Sequence, residues 1–194
     1  MSADLLDDLL RERLFAGTGD VYAVLDGRKI SRLPERLRAT GAEFWCLLAE
    51  GLDPVLAECA PYLVRLHCEV SAAATALRAV WERGSGIVLY TCSGSDGRAL
   101  RGHLRAWLQI PGTDGRIQFF RFYDPRVLRT ILPGLPAQRR AEFLTPLGCV
   151  YVAGPTPGSV LEFSRDASAD GCSLGEAGAG AASCSANRCV AKLA

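Results

Sequence analysis

Three groups of residues in this chain have types and spacings that could support chemistry. The first is Cys92-Ser93-Gly94-Ser95-Asp96-Gly97-Arg98, a thiol and a guanidinium with five residues between them. In a cysteine-dependent phosphatase, loop amides and a helix N-terminus hold the phosphate, the Arg grips two of its oxygens, and a thiolate of depressed pKa attacks phosphorus. Eight cysteines and an Arg frequency of 20 in 194 give about 0.8 such pairs by chance, and the chain has two, since Cys59 and Arg65 share the spacing. Thr91 stands where many such enzymes carry His, and Asp96 inside the loop repels a dianion. A capped helix after a core strand outweighs a phosphatase using Cys92 and Arg98, which is kept as the alternative function.

The second group is the scatter of possible bases and ligands. His67 and His103 are the two histidines, and neither lies near a nucleophile motif. Ser93-Gly94-Ser95-Asp96-Gly97 lacks the first glycine of a nucleophile elbow. No Cys-x-x-Cys pair occurs, and Cys172, Cys184 and Cys189 stand 12 and 5 apart in a segment of low complexity. Asp26 at a strand end has Arg28 two residues on rather than a second Asp, and Gly17-Thr18-Gly19 precedes a strand instead of following one. The reading is no catalytic residue, no metal and no cofactor.

The third group is the most specific: Phe119-Phe120-Arg121-Phe122-Tyr123-Asp124-Pro125-Arg126-Val127-Leu128. It reads as a strand, Ile117 to Tyr123, running into a helix through Ile131, with Asp124 as cap and Pro125 at the first helical position. Arg121 and Arg126 can pair with carboxylates near that corner. Arg121, Tyr123, Asp124 and Arg126 are therefore expected to form a positioned polar corner.

Elements around these groups follow from periodicity and punctuation. Residues 4 to 16 place Leu5, Leu6, Leu9, Leu10 and Leu14 on one helical stripe, with Gly17 as the stop. Strands are expected at Val21 to Leu25, Glu43 to Leu48, Tyr62 to Leu66, Ile87 to Thr91, Cys149 to Ala153 and Val160 to Ser164. Between them lie a helix around Leu33 and Leu37 capped by Ser31, one from Asp53-Pro54 to Ala60, an Ala-rich one from Ala72 to Glu82, and a short one from Pro136 to Leu144. Another is capped by Ser95 or Asp96, with Leu100, Leu104, Trp107 and Leu108 on its buried face and Arg98, Arg101 and Arg105 on its wet side. The alternation, with Ile87 to Thr91 almost continuously apolar, predicts an α/β fold: a layered mixed or mostly parallel sheet with helices on both faces. From Ala167 to Ala194, nine Ala, four Gly and four Ser make up 17 of 28 residues, which predicts a disordered, flexible C-terminal tail. The expected organisation is an N-terminal helix over 1–20, an α/β domain over 21–165 and a tail over 166–194.

Composition narrows the function classes. Net charge is +1, from 22 Lys plus Arg against 21 Asp plus Glu, so phosphate-driven nucleic-acid binding is not expected. The apolar runs, such as Phe44 to Ala49, fall far short of the roughly 18 to 20 residues of a membrane span, so no membrane insertion is expected. The acidic start Met1-Ser2-Ala3-Asp4 does not resemble an export signal, which favours a cytosolic protein whose cysteines from Cys46 to Cys149 are buried free thiols.

Four ordered segments resemble a known family. They are Tyr22-Ala23-Val24-Leu25-Asp26-Gly27, Ala60-Pro61-Tyr62-Leu63-Val64-Arg65-Leu66, Leu100 to Leu104 with His103, and Arg121 to Leu128, spread over about residues 21 to 153. The sequence resembles the adaptor or chaperone domain, catalogued as a domain of unknown function, that loads effectors onto the type VI secretion spike. That resemblance implies a non-enzymatic cytoplasmic protein of a Gram-negative bacterium, with a toxin effector and the VgrG spike protein as partners; on that reading Arg121, Tyr123, Asp124 and Arg126 are the expected partner-binding residues. Members commonly continue into a further helical region, where this chain has its Ala/Gly/Ser segment.

Overall fold

The architecture is built round one strand, β1 (Asp20–Asp26), whose side chains from Val21 to Asp26 are all buried. In the computed structural model, residues 14–67, 71–92, 94–112, 114–156, 159–164 and 174–175 are described, without the side chains of 71–74 and 174–175. After β1 the order is α1 (Leu33–Thr40), β2 (Phe44–Cys46), α2 (Pro54–Cys59), β3 (Pro61–Leu66), α3 (Ser71–Arg83), β4 (Gly86–Thr91) and α4 (Gly97–Ala106). Then come β5 (Gln109–Pro111), β6 (Ile117–Phe119), α5 (Pro125–Gly134), α6 (Ala137–Leu144), β7 (Cys149–Ala153), β8 (Val160–Ser164) and the two-residue β9 (Leu174–Gly175). Of the expected N-terminal helix only the end, with Leu14 buried, lies within the described residues, and of the expected tail only β9 does.

The main sheet runs β2-β3-β1-β4-β7-β8-β9, with β5 and β6 forming a separate two-stranded ribbon. Every strand pair in both is antiparallel, from Val24 opposite Leu63 and Ile87 at the centre to Val152 opposite Leu161 near the edge. The expected mixed or mostly parallel sheet is therefore wrong. Strand–helix alternation and an apolar run such as β4, which is buried throughout, report cover on both faces of a sheet and carry no information about strand direction.

Alternation along the strands sorts the core into two layers. Tyr22, Val24, Leu63, Ile87, Leu89, Val150 and Val152 pack with Leu100 and Leu104 of α4, Leu128 and Leu132 of α5, and Phe143 of α6. Val21, Ala23, Leu25, Tyr62, Val64, Val88 and Tyr90 face the other way, against Leu33 and Leu37 of α1 and Leu77 and Val80 of α3. In the first layer Phe122 meets Phe120, Tyr123 and Phe143 edge-on at 5.7 to 6.1 Å between centroids, and Trp107 meets Phe143 at 5.2 Å. Such pairs each add about 0.5–1.5 kcal/mol beyond the area they bury.

Caps follow the sequence at three helices: Asp53, Asp96 and Asp124 each accept the amide two residues on. At α1 the cap is not Ser31 but Arg32, in the left-handed conformation (φ 54°) and without a side-chain bond. The expected strand from Glu43 to Leu48 shrinks to three residues, and the one from Ile117 to Tyr123 stops at Phe119. Phe120, Phe122 and Tyr123 are buried in the turn that follows, so their apolar character served packing rather than pairing. Arg101 is only 15% exposed and donates to the Cys46 carbonyl, not to solvent. Of the cysteines expected to be buried, Cys149 is; Cys46 is half-buried, Cys59 and Cys92 are exposed, and Cys68 lies outside the described residues.

Gly27, which turns the chain out of β1, donates its amide to the Ala60 carbonyl. A Cβ there would stand 2.3 Å from the Glu58 carbonyl oxygen and 2.5 Å from that of Ala60. Gly27→Ala is expected to lower stability by about 1–3 kcal/mol. Gly102→Ala, in the middle of α4 with nothing within 4 Å of the added carbon, is expected to raise it by about 0.5–1 kcal/mol. Urea unfolding of both variants, compared at equal slope, checks the opposite signs.

Candidate functional site

Two carboxylates at opposite sequence positions organise a polar corner at the end of β1. Asp26 is the last residue of that strand, fully enclosed, and its amide continues the sheet pattern by donating to the Ser85 carbonyl at 2.8 Å. An enclosed carboxylate is tolerable only with donors on its oxygens. Oδ1 accepts the Arg28 amide at 3.1 Å, and Oδ2 accepts Arg121 Nη2 at 2.7 Å. The guanidinium of Arg121 also lies 5.6 Å from the centre of the Tyr123 ring. Burial pushes the Tyr123 phenol up from its ordinary value, and Arg121 opposes this only in part.

Asp124, 1% exposed, caps α5. Its Oδ1 accepts the Arg126 amide at 3.0 Å and Nε at 3.1 Å, while Oδ2 accepts Arg126 Nη2 at 2.8 Å and Lys29 Nζ at 3.2 Å. Lys29 in turn donates to the Gly84 carbonyl at 2.8 Å, which ties the turn after β1 to the end of α3. Burial alone would raise the Asp124 carboxyl, but the Arg126 and Lys29 hydrogen bonds and the Lys29 charge outweigh it and hold the group well below the usual carboxylate range.

All four residues expected at this corner are there. Tyr123 and Asp124 are buried, Arg121 is about one-third exposed, and Arg126 is 73% exposed, so the corner presents its two arginines to solvent. Sequence reasoning missed Asp26 and Lys29 as members. The Asp-Gly pair after an apolar run marks the turn, but nothing in the spacing reveals that Arg121, 95 residues away, reaches it.

The Cys92 loop forms a second polar cluster at the other end of β1. Asp20 accepts Arg65 Nη2 at 2.6 Å and the Ser95 amide at 3.0 Å, while Tyr22 donates its hydroxyl to the Ser95 carbonyl at 2.9 Å. Asp96 takes the Arg98 amide at 2.9 Å. Two of the amides a phosphate would use are thus bonded to carboxylates, and Arg65, the other Cys-spaced arginine, is held by Asp20 and Glu43. His103, half-buried beside Trp107 and Phe143, bonds through Nε2 to the Phe143 carbonyl at 2.9 Å and links α4 to α6. Burial lowers its pKa, an effect the Phe143 carbonyl partly offsets. Among the described residues no cluster of three or more His, Cys, Asp or Glu side chains could hold a metal, and no helix is long and apolar enough to cross a membrane.

A family model described as "Domain of unknown function (DUF4123)" matches residues 21–142, from β1 to the last turn of α6. Neither the curated proteins nor the solved structures contain a match.

Because the Asp124 pKa is lower folded than unfolded, its contribution is whole above the unfolded value of about 3.9 and is lost as pH falls through that value towards the folded one. Asp124→Asn keeps a capping oxygen but not the charge. It is expected to cost about 1–2 kcal/mol at pH 7 and to flatten the acid limb of stability between pH 5 and 3, roughly the window in which free carboxyls titrate. Urea titrations of both proteins across that range check this; parallel acid limbs would refute the assignment to Asp124.

Proposed function

Since the chain belongs to the DUF4123 family, whose model spans well over half of it, we propose that it is a non-enzymatic adaptor that binds a type VI secretion effector in the cytoplasm and loads it onto the VgrG spike. The four ordered segments of the resemblance all lie within that matched region. The observation that carries the reading is the β5–β6 ribbon inside the same region. All three residues of β6 are exposed, and Ile117 and Phe119, at 66% and 52% exposure, fall on one face by alternation. Val55 and Leu56 on α2 are exposed as well. Large apolar side chains side by side in solvent on one face of a ribbon support a protein-binding surface there.

On this reading the polar corner acts as a positioning device. Asp26 and Arg121 fix the segment that follows β6, and so fix where the ribbon joins the main sheet. Recognition rather than turnover is the mechanism: the ribbon covers apolar surface of the effector until the spike takes it over.

Co-expression of the chain with each neighbouring open reading frame, followed by pull-down, is expected to recover a toxin or spike protein. Failure with every neighbour would overturn the adaptor reading. Ile117→Ser with Phe119→Ser should leave stability within about 0.5 kcal/mol, as for exposed sites in general, and reduce recovery of the partner at least about tenfold if the ribbon is its seat.

A further inference from the structure

Beside the polar corner lies a cleft of about 360 Å³ bounded by the turn after β1, the end of α3, the first turns of α5 and the end of β7. Its charged lining is Lys29, Arg83, Arg126 and Arg129 against the one carboxylate of Asp124, an excess of three positive charges in a chain whose net charge is +1. Asp124 offsets one of these charges, being 1% exposed with both oxygens taken up by Arg126 and Lys29, so the excess that remains lies chiefly on Arg83, Arg129 and the exposed side of Arg126. Arg83 and Arg129 make no ion pair among the described residues. Arg129 is anchored by a hydrogen bond to the Ala153 carbonyl, which holds its guanidinium in place at the rim.

We propose that this cleft binds an acidic segment of a protein partner, with side-chain carboxylates seated on Arg83, Arg126 and Arg129. The donors favour carboxylates over a phosphate ion. Pro125 has no amide hydrogen and the Arg126 amide is already bonded to Asp124, so the start of α5 has few backbone donors left for a compact anion. Planar guanidinium forks take a carboxylate or a phosphate two oxygens at a time, so the preference for carboxylates rests on the missing backbone donors. Trp81 and Pro125 supply apolar wall on which the methylenes of Glu side chains rest. That the partner is a protein segment rests on the adaptor reading; that the ligand is anionic rests on the cleft alone.

The full chain is titrated, by fluorescence anisotropy, into fluorescein-labelled octaglutamate and into a neutral Ser-Gly peptide of equal length. Octaglutamate is expected to bind at least about tenfold more tightly, with affinity falling as salt is added. Arg83→Glu, at an exposed position with no ion pair among the described residues, should weaken it at least about tenfold while lowering the thermal midpoint by no more than a few degrees, the cost of an acid in the last turn of α3. Arg129→Gln should weaken it in the same direction. Equal binding of the two peptides, affinity unchanged in Arg83→Glu, or displacement of octaglutamate by millimolar inorganic phosphate would each overturn the proposal. If pull-down recovers the partner equally with Arg83→Glu and the wild-type chain, the cleft fails while the adaptor reading stands; if octaglutamate binds as expected and no neighbour is recovered, the adaptor reading fails and the anion site stands.

Discussion

The enclosed carboxylate of Asp26 is the constraint on which the rest of the molecule hangs. It ends β1, an interior strand of the sheet, where it is fully enclosed, and its ion-pair partner among the described residues is Arg121. A buried charge without its partner costs several kcal/mol more than an unmade surface pair, so the chain from β6 to α5 must return to the end of β1 for the sheet to be tolerable there. That return brings Phe122 into the first core layer and sets Asp124 over Lys29. The aromatic packing, the α5 cap and the cationic cleft all follow from one residue's need for a counter-charge.

The two ends of β1 solve related problems differently. At Asp26 and Asp124 the carboxylates are enclosed and the cations reach out to solvent, so the corner is rigid within and positive outside. At Asp20 the carboxylate is 16% exposed and shared between Arg65 and a loop amide, and Glu43 joins at the surface. There the cations are matched by acids and little net charge faces outward. Near-neutral composition therefore hides an asymmetry that appears only when the chain is folded.

What was legible in the sequence was local. Asp53, Asp96 and Asp124 cap because a short acidic side chain next to Pro or Gly at a helix start has few other uses. The strand Cys149–Ala153 could be read from its own apolar residues. Strand direction could not, because a residue buried on both faces looks the same in either direction. The partnership of Asp26 with Arg121 and that of Lys29 with Asp124 were also hidden, since each spans 95 residues with no periodic signal between them. The β6 expectation overran into the buried turn for a related reason: Phe120 and Phe122 are strand-formers by type, but burial, not ladder pairing, is what selects them there.

The central place of β1 also dictates an order of assembly during synthesis. Its two neighbours begin at Pro61 and Gly86, and the counter-charge for its last residue arrives only with Arg121. An emerging chain therefore carries an apolar strand with both edges open until β3 has been made, and with one edge open until β4 follows. Only once the ribosome has released the turn before α5 can the carboxylate be enclosed and the first core layer close over it. The interval between those events is when this chain is most exposed to wrong pairing, and it is set by topology rather than by the stability of the finished fold.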